Sequence, residues 1–256
     1  MKPVAAVVLA AGLGKRMGST LPKVLHRLAG TTLIEHVLNA IEPLGLARTV
    51  VVVGYRAEAV TAVLAGRELA FALQSPQRGT GHAVMQARPA LDGFAGTVVV
   101  LVGDAPLLTT GTMRRFIAYH HEQKASCTLL TAKLDDPAEY GRILRDAAGE
   151  VVGIVEDGDA TPAQRAITEI NSGIIAFEAG PLWEHIDRLS RANAQGEYYL
   201  TDLVNILKQN GLKVAGYCVE NDIEVRGINS PEQLKAFEGI LKANGPSSIK
   251  SLTDKG

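Results

Sequence analysis

Cysteine is scarce in these 256 residues: only Cys127 and Cys218 occur, each inside a strand-like run. Two thiols so placed exclude a disulfide framework and suit a reducing compartment, where both are expected as buried core residues. An excess of either charge is missing too. Lys and Arg number 26 against 27 Asp and Glu, a net charge of -1. That leaves no basic surplus to neutralise a phosphate polymer and argues against a general nucleic-acid binder. No segment reaches the roughly 18 apolar residues that a membrane helix needs. The first apolar run is short, leads straight into a loop and lacks the layout of a signal peptide, so the expectation is a cytoplasmic protein with no membrane partner. The six histidines, His26, His36, His82, His120, His121 and His185, show no zinc-ligand spacing, and His120-His121 is expected as a pair on a helix surface. There is no Ser-His-Asp or Cys-His constellation, no internal repeat and no low-complexity tract.

What remains is ordinary globular material, 46% apolar and 21% charged, organised around one stretch. Val4 to Leu9 is an apolar run expected as a buried parallel strand. It breaks into Ala10-Ala11-Gly12-Leu13-Gly14, small residues that leave main-chain N–H groups uncovered. Such a turn can cradle a phosphate, and Lys15, Arg16 and Lys23 bring three cations within reach of it. Two better-known phosphate loops do not fit. The dinucleotide fingerprint needs Gly where Met17 stands, and the P-loop fails at Leu9 and Arg16.

Downstream, Thr32-Leu33-Ile34-Glu35 is a capping-box pattern opening an amphipathic helix that runs to about Leu44. Arg48 to Val53, Glu68 to Leu73 and Thr97 to Val102 are further strands, with helices expected from about Glu58 and near His82. This alternation predicts a mostly parallel sheet with helices on both faces, whose ligands lie at the carboxyl ends of the strands. Thr110 to Gln123 is expected to be helical and Ser126 to Lys133 a strand. From Asp135 the pattern loosens. Asp136 to Arg142 is turn-rich, and Val151 to Val155 and Glu169 to Phe177 are shorter strands expected to form a flap or subsheet over the pocket. Helices follow over Pro181 to Leu189 and from Glu197 to about Gln209, then a strand from Lys213 to Val219. A terminal helix spans about 231–243, with Pro231 in its first turn, and a polar tail runs over 244–256.

The stretch Leu9, Gly12, Gly14, Arg16, Met17, Pro22, Lys23 resembles the L-x-x-G-x-G-x-R-M…P-K signature of the sugar-nucleotide pyrophosphorylases. Further blocks bring the chain, up to about Leu241, close to the uridyltransferase domain of the bacterial bifunctional members of that family. They are LPKVLH from Leu21, KLDDPAEYGRI from Lys133, GIVED from Gly153, EINSGI from Glu169, NAQGEYYLTD from Asn193 and GINS from Gly227. The later blocks point to the N-acetylhexosamine enzymes. Two positions depart from the pattern: Lys15 stands where Thr is usual, and Val102 where close relatives often carry Tyr.

The resemblance implies an α/β, Rossmann-like, mostly parallel mixed sheet of the nucleotide-diphospho-sugar transferase type. A nucleotidyltransferase domain would span 1–230, nucleotide-binding over about 1–134, with a small β-rich sugar-binding part over about 135–230. No β-helix acetyltransferase domain is expected. It implies Mg²⁺-dependent transfer of uridylyl from UTP to N-acetylglucosamine 1-phosphate. Leu9, Ala10, Ala11, Gly12, Gly14, Lys23, Gln74, Gly79, Thr80 and Gly103 would hold the nucleotide, and Gly141, Glu156, Asn171 and Thr201 the sugar. Asp104 and Asn229 would hold the metal, and Arg16, Lys23 and Asp104 would act in catalysis. The same chemistry with another sugar phosphate or pyrimidine triphosphate stays open, as does a non-catalytic nucleotide-sugar sensor. So do the plainer roles each residue could have alone: Gln74 as a loop amide, Glu156 as a solvated strand end, Asn171 as a turn residue, Asn229 as an N-cap. The chemistry needs no general base, because a phosphate monoester, with a second pKa of about 6, is already largely dianionic near neutrality. It does need fixed cations that let two anions approach.

Overall fold

Val4–Ala10 (β1) is apolar at every position, a pattern that suits a strand covered on both faces. The computed structural model describes residues 2–137 and 139–244 and places β1 inside the sheet. The other strands are β2 (Arg27–Leu28), β3 (Thr31–Thr32), β4 (Arg48–Val53), β5 (Ala70–Leu73), β6 (Thr97–Val102), β7 (Cys127–Lys133), β8 (Arg142–Arg145), β9 (Val151–Val155), β10 (Glu169–Glu178) and β11 (Val214–Cys218). The helices are α1 (Leu33–Ile41), α2 (Ala57–Val63), α3 (Thr80–Ala87), α4 (Thr110–Gln123), α5 (Pro162–Arg165), α6 (Ala179–His185), α7 (Asp202–Gln209) and α8 (Pro231–Asn244).

The main sheet runs β11-β7-β10-β6-β1-β4-β5, with β8 and β9 attached through β10. β1 is parallel to β4 and β6, β4 to β5, and β7 to β11. Alternate residues of each central strand serve opposite layers. Ala5, Val7, Val50, Val52, Val98 and Val100 pack against α3, α6 and α7, whereas Ala6, Val8, Val51, Val53, Val99 and Leu101 pack against α1, α2 and α4. The capping box is present: Glu35 N–H donates to Thr32 Oγ1 and Thr32 N–H donates to Glu35 Oε2 at 3.0 Å. A small third cluster, Leu28, Leu33, Ile228, Phe237 and Leu241, pins α8 to the β2-β3 hairpin and the start of α1.

Four expectations are corrected. β10 is not part of a flap: it is ten residues long and enters the main sheet antiparallel to both β6 and β7, leaving β8 and β9 as the projecting pair. The helix expected from Glu197 begins only at Asp202. The segment before it uses its backbone elsewhere, since Tyr198 N–H donates to Arg78 O and Gly81 N–H to Tyr198 O, each at 2.8 Å. Cys127 is buried but Cys218, the last residue of edge strand β11, is exposed. His120 is no surface residue. It is fully buried, with Nδ1 2.7 Å from Thr128 Oγ1, and burial pushes its pKa down to about 4. The expected tail, beyond Asn244, lies outside the described residues. Among the described residues no helix is long and apolar enough to cross a membrane.

Candidate active site

The parallel strands present their carboxyl ends on one rim, where β1, β5 and β6 release three loops. The first is drawn inward by Gly14, which adopts φ +63°; a Cβ there would lie 2.7 Å from that of Lys23. Only glycine tolerates both the left-handed backbone and that approach. Gly12 faces open space, with nothing within 4 Å of an added Cβ. The loop after β5 is shaped at Gly79, with φ +102°, whose added Cβ would come within 2.6 Å of Tyr198 O. The segment at Glu197 and Tyr198 and this loop thus form one wall of the cleft together.

The cleft has two compartments. One, of about 570 Å³, is lined by Leu9 to Lys15, Lys23, Val24, Gln74, Gln77, Gly79, Thr80 and Asp104, among others. The second, of about 330 Å³, is lined by Arg16, Tyr140, Gly141, Glu156, Asn171, Thr201 and Asn229, among others. Leu9, Thr80, Val102 and Asp104 line both, so the compartments meet there. The residues expected to hold a nucleotide therefore gather in the larger one, except Gly103, and all four expected sugar residues in the smaller. Gly103 is buried behind the wall, its N–H donating to Leu9 O at 3.0 Å.

At the junction lies a charged centre. Asp104 is buried, and the Lys23 ammonium forms an ion pair with its Oδ2 while donating to Asn229 Oδ1 at 2.8 Å. A carboxylate and a carboxamide oxygen therefore converge on one cationic position. That donor set suits a hard divalent cation, so the residues present fit the metal that the resemblance implies. The Asn229 segment is held over Asp104 by Ile228 N–H, which donates to Asp104 O at 2.9 Å, and by Gly227 N–H, which donates to Tyr140 Oη at 3.1 Å. Arg16 lines the smaller compartment with Asp104 and Asn229. It pairs at the rim with Glu139, side chains 52% and 66% exposed.

In the larger compartment Gln74 is buried, its Nε2 2.9 Å from Gly79 O and 3.1 Å from His82 Nδ1. Its carboxamide is thereby oriented before any ligand arrives. In the smaller one Glu156 Oε1 accepts from Thr201 Oγ1 at 2.7 Å. Asn171 is buried, its backbone N–H donating to Gly141 O at 2.8 Å. Burial raises the Glu156 carboxyl above its usual value, the Thr201 bond opposes this, and Asp202 and Asp159 push it further up. A carboxyl raised on folding is disfavoured when charged, so its charge lowers stability at neutral pH and does so no longer below the unfolded value. Glu156→Gln should melt higher than the wild type at pH 7, with the gap closing as pH falls from the raised folded-state value to the ordinary carboxylate value. Thermal melts at several pH values check this, and equal melting temperatures at pH 7 would contradict it.

Three structural partners escaped the sequence reading: Tyr140, which receives Gly227 N–H, Glu139 on Arg16, and Arg142, buried and donating to Asp157 Oδ1 at 3.2 Å. All three lie in the KLDDPAEYGRI block, but nothing local says that a phenol at 140 reaches an amide 87 residues away.

Residues 6–167 match the MobA-like NTP transferase domain family. The bifunctional protein GlmU of Pelotomaculum thermopropionicum is 50% identical over 239 residues, covering 93% of this chain and 52% of that protein. The GlmU proteins of Pelobacter propionicus and Mycolicibacterium vanbaalenii are 48% and 47% identical, covering 94% of this chain and 53% and 50% of theirs. The chain spans about half the length of the curated relatives it matches. A solved structure described as a glucose-1-phosphate thymidylyltransferase from Bacillus anthracis, in complex with sucrose, superposes with a TM-score of 0.74 over 93% of this chain and 94% of that one. Its 18% identity makes this a likeness of fold.

Proposed function

The chain belongs to the MobA-like NTP transferase domain family, and we propose that it transfers uridylyl from UTP to N-acetylglucosamine 1-phosphate, releasing pyrophosphate. The observation that carries this reading is the two-compartment cleft whose halves meet at Asp104. A nucleotide in the larger half and a sugar phosphate in the smaller would bring their phosphates together at the charged centre.

The loop Leu9 to Gly14 supplies backbone donors and open space at Gly12 for the triphosphate. Gln74, with its nitrogen occupied by Gly79 O and His82, offers its carbonyl oxygen to a base. Uracil N3–H can donate a hydrogen bond to such an acceptor, whereas cytosine N3 carries no hydrogen. Glu156, Thr201, Asn171 and Gly141 present acceptors and donors to the sugar's hydroxyl and acetamido groups. Lys23 and Arg16 neutralise phosphate charge, and the ordered walls hold the two anions within reach of one another. A magnesium ion held by Asp104 and Asn229 would supply further charge neutralisation at the phosphates.

Pyrophosphate release measured over a panel of sugar 1-phosphates and nucleoside triphosphates, with and without EDTA, tests the reading. The expected outcome is highest activity with UTP and N-acetylglucosamine 1-phosphate, abolished by EDTA. Preference for glucose 1-phosphate or dTTP would overturn the substrate assignment. Glu156→Ala should raise the Michaelis constant for the sugar phosphate about tenfold, the scale of losing a hydrogen bond to a charged group, and leave that for UTP nearly unchanged.

A further inference from the structure

The Lys23 ammonium sits between Asp104 Oδ2 and Asn229 Oδ1, the two oxygens that fit a divalent cation. Yet Lys23 also lines the nucleotide compartment, alongside Gly12, Gly14 and Lys15. Its backbone has little freedom to choose between these places. Lys23 follows Pro22, opens a 3-10 turn, and stands so close to Gly14 that no side chain fits between them. The four-carbon stem has that freedom, because its end is a compact charge on rotatable bonds.

We propose that Lys23 is an exchangeable counter-ion: it holds Asp104 and Asn229 together when the cleft is empty, and cedes that position to the divalent cation as its ammonium swings onto the triphosphate. This rests on the reading that Asp104 and Asn229 receive the metal. The physical ground is that an ammonium and a divalent cation cannot share a pair of oxygens without strong repulsion in a partly buried site. Lys23 and Asp104 side chains are only 21% and 10% exposed, so solvent screens that repulsion weakly. Nucleotide phosphates offer the ammonium another partner, and metal entry therefore becomes coupled to nucleotide binding. The empty cleft would also keep its carboxylate compensated, avoiding an unpaired buried charge.

The test is direct binding of Mn²⁺ to the whole chain, followed by the electron paramagnetic resonance of the free ion, with and without UTP. Without nucleotide, Lys23→Met should bind Mn²⁺ about tenfold more tightly than the wild type, within the range usual for coupled sites. UTP should tighten Mn²⁺ binding in the wild type more than in Lys23→Met. Lys23→Gln, neutral but still able to donate a hydrogen bond, should shift in the same direction and carries the test if the methionine variant does not fold. Nucleotide-free affinity in these variants equal to or weaker than in the wild type would overturn the exchange. Asp104→Asn separates the two levels: it should lose nucleotide-free Mn²⁺ binding. Wild-type affinity there would mean that the metal does not bind at Asp104, whereas its loss together with an unshifted Lys23→Met would defeat the exchange alone.

Discussion

Asp104→Ala should lower the rate of pyrophosphate release by about a hundredfold or more, the scale observed when one charge-stabilising group is removed from an active site. The carboxylate is buried where the two compartments meet, and it is the anion on which the Lys23 ammonium rests. Its loss removes the carboxylate proposed to hold the metal and releases the Lys23 ammonium from its partner. The fold should tolerate the change, because the backbone of residue 104 keeps its bond from Ile228 N–H and the stranded ammonium can turn to solvent. A fall in turnover with a melting temperature lowered by only a few degrees is therefore expected. Turnover within a factor of a few of wild type would remove Asp104 from the centre.

Lys23→Ala should produce a loss of similar size, about a hundredfold, by taking away the cation that the proposed reading brings to the phosphates. Arginine should not restore it. The guanidinium is a planar fork, and the site holds a compact charge between one carboxylate oxygen and one carboxamide oxygen. Because both residues belong to one charged unit, the double variant should lose little more than either single one. Steady-state rates of the four proteins check this, and losses that multiplied would show two independent contributions.

Much of the framework is visible before folding. Val4 to Leu9, Arg48 to Val53 and Thr97 to Val102 each carry a continuous apolar run, from Val4, Val50 and Val98 respectively, and each forms a central strand within one residue of its expected bounds. Thr32 and Glu35 specify the start of α1 through bonds confined to four residues. Two expected surfaces came out reversed, for non-local reasons. His120 is buried because the helix face that carries it meets Thr128 on β7, and Cys218 is exposed because β11 ends the sheet. The segment from Glu197 is not helical because its backbone pairs with the loop at Gly79, more than a hundred residues earlier in the chain.

Hydrophobic runs, caps and left-handed glycines act over a few residues, so the linear chain was enough to set the layered α/β framework and the phosphate-type loop. The site had to await folding. Lys23 meets Asn229 across 206 residues and Asp104 across 81, and no spacing rule spans such separations. Only the meeting of the carboxyl ends of the parallel strands β1 and β6 with the segment before α8 at one rim brings Lys23, Asp104 and Asn229 together where the two compartments adjoin.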